Sequence, residues 1–369
     1  MNFKRVVIKV GSALVAPDGK GCSGKYLLSI ARFITECHKR DKEVILVSSG
    51  SVAAGRQLIH HGSPNPSIAA KQAMASVGQM QMMANWQRFF DTPCSQLLIT
   101  HGDLKDRRRF INIKNTLRML LENNILPVVN ENDTVATDEL KVGDNDNLAA
   151  LVAMVSDADC LFILSDVDGV FDSDPRSNSD AKLFSEINTI DDALYQMAGG
   201  TSNKIATGGM KTKIQAAEKA TEHGIETYIL NGSNSAVFDK LLLGENPGTR
   251  FVAKQSALKA KKHWLKHTLK SHGSIVIDEG AINALLNKGA SLLASGIVEI
   301  SGDFIKGESV SITAHCDSRV LAKGISQYSS QDLVKIKGKN SNDFDTILGY
   351  CPSKEIIHRD DLVLMEKAE

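Results

Sequence analysis

Six short apolar runs rich in β-branched residues punctuate the first two thirds of the chain: VVIKV (6–10), EVILV (43–47), QLLIT (96–100), ILPVV (125–129), CLFIL (160–164) and ETYIL (226–230). Each is followed by residues with helical apolar spacing, such as KYLLSIARFITECH and RRRFINIKNTLRMLLENN. Continuous apolar runs suit strands covered on both faces, and intervening helices suit crossovers between parallel strands. The expected class is therefore α/β with a mainly parallel sheet, in which ligands bind beyond the carboxyl ends of the strands.

The character changes after residue 250. Residues 250–272 carry Lys and Arg with no acidic residue, which reads as a basic linker over 251–272. From residue 273 short alternating runs divided by glycines describe a small, mainly β barrel with one or two helices. The expected division is 1–250, linker, and 273–369, two domains for 369 residues. Lys+Arg and Asp+Glu are both 43, so net charge favours neither nucleic acid nor membrane. RNA contact by the basic segment and the barrel is conceivable, without support from the overall charge. The six cysteines are scattered and form no C-x-x-C, which argues against a disulfide framework or a zinc site. The N-terminus has neither a signal-peptide core nor a membrane span, and a cytoplasmic location is expected.

The chemistry concentrates at strand ends. Between ILPVV and the helix beginning NLAALVAM, residues 130–147 hold a dense run of carboxylates and asparagines. Among them Asp133 and Asp146 offer acceptors for ammonium groups and Asn145 an amide; a solvated loop capping the next helix is the plain alternative. Lys9 lies inside a strand, which calls for a partner unless the strand is at an edge and the lysine snorkels. VSSG (47–50) ends a strand at small residues and enters a helix, a weak anion-site signal that is neither a Walker loop nor a dinucleotide fingerprint. Thr207, Gly208, Gly209 and Met210 lead into a helix with Lys211 and Lys213 in its first turn. Cations there oppose the macrodipole by about 0.3–1 kcal/mol each, and a bound polyphosphate reverses that sign.

Other features read as structural. Met74, Met80, Met82 and Met83 follow helical spacing and suit a core or subunit interface. Arg107, Arg108 and Arg109 suit a solvated helix start. The aspartates from 166 to 174 lack EF-hand spacing, and His263 with His267 lacks a third ligand, so no metal site is expected.

Together VVIKVGS, VSSGSVAAGR, NENDTVAT, VGDNDNLAA, LSDVDGVFDSDPR and TGGMKTKIQAA resemble, in order and spacing, the bacterial glutamate 5-kinase family over nearly the whole chain. The resemblance implies an amino-acid kinase fold, a three-layer αβα sandwich, followed by a PUA-like barrel. It implies transfer of the ATP γ-phosphoryl group to the γ-carboxylate of L-glutamate, with Mg²⁺ bridging the phosphates. By motif, Lys9, Asp146 and Lys213 would be catalytic, and Ser49, Gly50, Asp133 and Asn145 would bind glutamate. Lys9, Gly11, Ser12, Ser165, Asp166, Thr207, Gly208, Gly209, Met210, Lys211, Thr212 and Lys213 would bind ATP. Proline is implied as feedback inhibitor, and a homo-oligomer, dimer or tetramer, as the assembly.

Overall fold

The computed structural model describes residues 3–19, 21–60, 65–136, 145–175, 177–199, 209–254, 271–315 and 319–365. The chain forms two compact units, one comprising 1–104 and 113–257, the other 105–112 and 258–369.

The strands of the first unit are β1 (Arg5–Val10), β2 (Glu43–Ser48), β3 (Cys94–Ile99), β4 (Leu126–Glu131), β5 (Cys160–Ser165), β6 (Glu186–Ile187), β7 (Glu226–Asn231) and β8 (Thr249–Phe251). They make an eight-stranded sheet in the order β3-β4-β2-β1-β5-β7-β8-β6. The six expected runs form β1, β2, β3, β4, β5 and β7, all parallel to their neighbours among themselves. The short β8 pairs antiparallel with β7 and parallel with β6. Neither β6 nor β8 is long enough to show a strand period in sequence.

Helices along this part of the chain are α1 (Ser12–Val15), α2 (Gly24–His38), α3 (Ser51–Gly55), α4 (Ile68–Gln87), α5 (His101–Lys105), α6 (Arg107–Glu122), α7 (Asn145–Val155), α8 (Asp192–Gly199), α9 (Met210–Glu222) and α10 (Ala236–Leu243). Ser23 caps α2 by accepting from the Lys25 N–H at 3.2 Å, and Ser67 caps α4 from Ala70 N–H at 3.2 Å. Each supplies an acceptor to an N–H that the helix leaves unpaired.

Strand alternation assigns the two faces. Val6, Ile8 and Val10 of β1 share one core with Leu27, Ile30 and Ile34 of α2, Met82 and Trp86 of α4, and Val237 and Leu241 of α10. Val7 and Lys9 must point to the opposite face, where α7 and α9 pack on the sheet. Alanines Ala149, Ala150 and Ala153 of α7 and Ala216, Ala217 and Ala220 of α9 are all fully buried, which lets these two helices approach closely. The result is helix, sheet, helix: a three-layer αβα arrangement. β1 lies at its centre, between β2 and β5, so Lys9 is no edge-strand lysine.

The second unit holds β9 (Gly273–Ile277), β10 (Ile297–Gly302), β11 (Ser309–Ala314), β12 (Val320–Ile325) and β13 (Leu362–Leu364). Their order is β10-β9-β11-β12-β13, antiparallel except for β9 with β11. With α11 (Glu279–Lys288), α12 (Ser330–Ile336) and α13 (Phe344–Leu348) they enclose a separate core that includes Ile275, Ile312, Tyr328 and Phe344. A small, mainly β unit is expected here; its sheet is mostly antiparallel, and it carries three α-helices among the described residues where one or two are expected. Among the described residues, no helix is long and apolar enough to cross a membrane.

Candidate active site

Because β1, β2, β4, β5 and β7 run parallel, their carboxyl ends share one edge of the sheet. Val10 is in register with Ser48 of β2 and Leu164 of β5, and Ser165 with Asn231 of β7. The N-termini of α7 and α9 carry Asp146 and Lys213, and both Lys9 and Lys213 reach Asp146.

Three charged side chains meet there out of water. Lys9 Nζ lies 2.6 Å from Asp146 Oδ1, and Lys213 Nζ lies 3.3 Å from Asp146 Oδ2. Lys9 and Lys213 are each 5% exposed and Asp146 is 0% exposed. The Thr212 hydroxyl is 2.7 Å from Asp146 Oδ2 and 2.8 Å from the Gly209 carbonyl oxygen. Burial pushes the Asp146 carboxyl up, but the Lys9 and Lys213 ammonium groups and the Thr212 hydroxyl outweigh it. The net effect holds Asp146 well below the usual carboxylate range. Two ammonium groups share one carboxylate in this buried cluster. It sits at the starts of two helices whose unpaired N–H groups and dipoles also favour an anion. Gly209 caps α9 without a side-chain hydrogen bond, and the first turn of that helix has no acidic residue.

Around this cluster the strand ends supply small polar groups. Gly11 follows β1; a Cβ there would lie 3.6 Å from Lys9 Nζ, in the space in front of the ammonium group. The Gly11 N–H donates to the Leu164 carbonyl at 3.2 Å, so Gly11 contributes openness here and its N–H is spent within the sheet. Ser12 begins α1 beside it. At the end of β5 the Ser165 hydroxyl donates to Asp166 Oδ1 at 3.1 Å. Met210, Lys211 and Thr212 form the first turn of α9, with Lys211 exposed. Thr207 and Gly208, like His263 and His267, lie outside the described residues.

A second set of polar side chains lies toward β2 and β4. Gly50 has φ 105° and a Cβ there would come within 2.9 Å of Val15, so the turn from β2 into α3 demands glycine. That turn presents Ser49 and Ser51. The Asn145 amide donates to Ser49 Oγ at 2.7 Å and to Asn130 Oδ1 at 2.9 Å. Ser51 Oγ donates to Asp133 Oδ2 at 2.9 Å. Burial raises the Asp133 carboxyl above its ordinary value; Ser51 opposes this and nearby Glu131 adds to it. The Asn145–Ser49 and Ser51–Asp133 pairs are joined through the Gly50 turn, which gathers Ser49, Gly50, Asp133 and Asn145 in one neighbourhood. Asn130, Gln79 and Ser51, which the sequence reading did not single out, belong to it as well.

Arg107, Arg108 and Arg109 are exposed in the first turn of α6. Met74 and Met82 are buried, whereas Met80 is 71% exposed on the outer side of α4. Among the described residues no group of three His, Cys, Asp or Glu is arranged to hold a metal ion.

Residues 4–231 match the model of the amino acid kinase family, and residues 273–348 match that of the PUA domain. The chain is 55% identical over 365 residues to a glutamate 5-kinase of Idiomarina loihiensis, covering 99% of this chain and 98% of that one. It is 49% identical to a glutamate 5-kinase of Salinibacter ruber, covering 98% of each. Its identity to glutamate 5-kinase 1 of Pseudoalteromonas translucida is 48%, covering 93% of each.

Proposed function

The chain belongs to the amino acid kinase family, within its glutamate 5-kinase branch, and from that premise we propose that Lys9, Asp146 and Lys213 form its phosphoryl-transfer centre. The reaction is transfer of the γ-phosphoryl group of ATP to the γ-carboxylate of L-glutamate, giving L-glutamyl 5-phosphate and ADP, the first step of L-proline biosynthesis. The observation that carries the residue assignment is the convergence of two buried ammonium groups on one carboxylate at the ligand-bearing edge of the sheet.

Phosphoryl transfer asks little covalent chemistry of a protein; positioning and charge stabilisation do most of the catalysis. In the proposed step a γ-carboxylate oxygen attacks the γ-phosphorus, and the bond to the β,γ-bridging oxygen breaks with its electrons passing to ADP. Lys9 would face the attacking side and Lys213 the leaving side, so charge on the moving group meets an ammonium at both ends. Asp146 would keep both ammonium groups in place. Ser12, Ser165, Asp166 and the start of α9 from Gly209 to Lys213 would line the nucleotide. Mg²⁺ carried on the phosphates would supply further charge neutralisation. Both oxygens of Asp146 are already engaged by lysine and threonine, so phosphate oxygens and water would hold the metal.

Glutamate would occupy the neighbourhood of Ser49, Gly50, Asp133 and Asn145, with the Asp133 carboxylate accepting from the α-ammonium group. N-acetylglutamate lacks that ammonium and would leave the half-buried Asp133 carboxylate with the Ser51 hydroxyl but no cation, a mismatch that sites built on hydrogen bonds reject strongly. In an assay of ADP release at fixed MgATP, kcat/KM for glutamate is expected to exceed that for N-acetylglutamate by at least about 100-fold. Equal values would remove Asp133 from the pocket. Because burial raises the Asp133 carboxyl, its ionised, ammonium-binding form is lost at a higher pH than for an ordinary aspartate. The KM for glutamate should therefore climb on mild acidification, and Asp133→Asn should raise KM and flatten that climb. A pH profile of KM that is unchanged in the variant would contradict this role.

Proline carries the same α-ammonium and α-carboxylate groups, and as feedback inhibitor it would compete at this pocket. A homo-oligomeric assembly and a cytoplasmic location complete the proposed reading.

A further inference from the structure

Behind Asn145 the hydrogen bonds continue away from the pocket. Asn145 donates to Asn130 Oδ1 at 2.9 Å, Asn130 donates to Gln79 Oε1 at 2.9 Å, and Gln79 donates to Gln96 Oε1 at 3.1 Å. Asn130 is 1% exposed and Gln79 is 7% exposed. Four amides in series, the middle two buried, hold one another's orientation, since each turned amide would set like atoms face to face with its neighbour. The residue beside Gln79 anchors the other half of the pocket. A Cβ on Gly78 would lie 1.9 Å from the Ser51 carbonyl oxygen and 2.5 Å from the Gly55 nitrogen, so α4 and α3 touch backbone to backbone at this point. Ser51 in turn holds Asp133. Two consecutive residues of α4 therefore support both arms of the pocket: Gly78 supports the β2–α3 turn with Ser49 to Ser51, and Gln79 the Asn130–Asn145 arm.

We propose that Gln79 is a positioning residue for glutamate, fixing the Asn145 amide through Asn130 without touching the substrate. This inference rests on the assignment of Asn145 to the glutamate pocket. Loss of the Gln79 carbonyl leaves a buried Asn130 N–H unpaired and lets both asparagine amides turn.

The test is steady-state ADP release by the full chain in wild type, Gln79→Leu, Asn145→Ala and the double variant, varying glutamate at saturating MgATP and ATP at saturating glutamate. Gln79→Leu is expected to raise the glutamate KM by about tenfold or more, the range for leaving one buried donor unpaired, while the ATP KM changes by less than about twofold. In the Asn145→Ala background the same substitution should add less than about twofold, because the group it positions is gone. If Gln79→Leu does not fold, Gln79→Asn, one methylene shorter and out of reach of Asn130, carries the same expectation. Equal rises in both KM values, or full additivity in the double variant, would overturn the relay while leaving the pocket assignment standing. An Asn145→Ala variant with unchanged glutamate KM would overturn the pocket assignment and the relay with it.

Discussion

In Lys213→Ala, kcat is expected to fall by at least about 100-fold, the loss typical of removing one preorganised partner of transition-state charge. The fold should survive, because Lys9 and Asp146 remain paired at 2.6 Å. A fall in kcat with little change in the glutamate KM would place Lys213 on the nucleotide side of the reaction. Stopped-flow or steady-state ADP release checks this, and turnover at the wild-type rate would contradict the assignment.

Asp146→Asn is expected to do the opposite to stability. The variant keeps two ammonium groups, each 5% exposed, and takes away the carboxylate between them. Breaking a buried ion pair by deleting one partner costs about 3–5 kcal/mol. Denaturant unfolding at neutral pH should show a loss in that range. The pH dependence has a definite sign. The folded Asp146 carboxyl lies below its unfolded value, so its contribution in the wild type is complete above the unfolded pKa, about 3.9. It is lost as pH falls through the folded value. The variant lacks that acid-sensitive contribution, so the gap between the two proteins should narrow in acid. A stability difference that stays constant across pH would show that packing, and not charge, makes Asp146 important.

Much of this architecture is legible in the sequence because buried strands carry their signal locally. The runs at 6–10, 43–47, 125–129 and 160–164 are apolar at every position but Lys9 and Glu43, and all form strands of the sheet. Lys9 stands out for the same reason: an ammonium inside such a run needs a partner. The lysines at the start of α9 stand out because they oppose the helix dipole. The identity of the partner is not local. Lys213 and Asp146 are 67 residues apart, and their meeting depends on β1 lying between β2 and β5 with α7 and α9 on one face. In the sequence the family resemblance, and not spacing, joins them.

Gln79 was illegible for a different reason. It sits among methionines and alanines on α4, where a polar residue reads as surface. Its burial comes from β3 and β4, which bring Gln96 and Asn130 alongside it. Gly78 likewise looks like an ordinary helix-weakening glycine until the backbone of α3 is placed against it. The strands β6 and β8 were missed because two and three residues cannot display alternation.

The central claim is that Lys9 and Lys213 act on one triphosphate tail, with Asp146 between them. Its most direct test is a crystal structure with glutamate, Mg²⁺ and a non-hydrolysable ATP analogue. The expected result is Lys9 Nζ and Lys213 Nζ both at charge-assisted hydrogen-bond distance, about 2.7–2.9 Å, from oxygens of the β- and γ-phosphates on opposite sides of the transferred group. Phosphates seated elsewhere on the sheet edge, out of reach of both lysines, would contradict it.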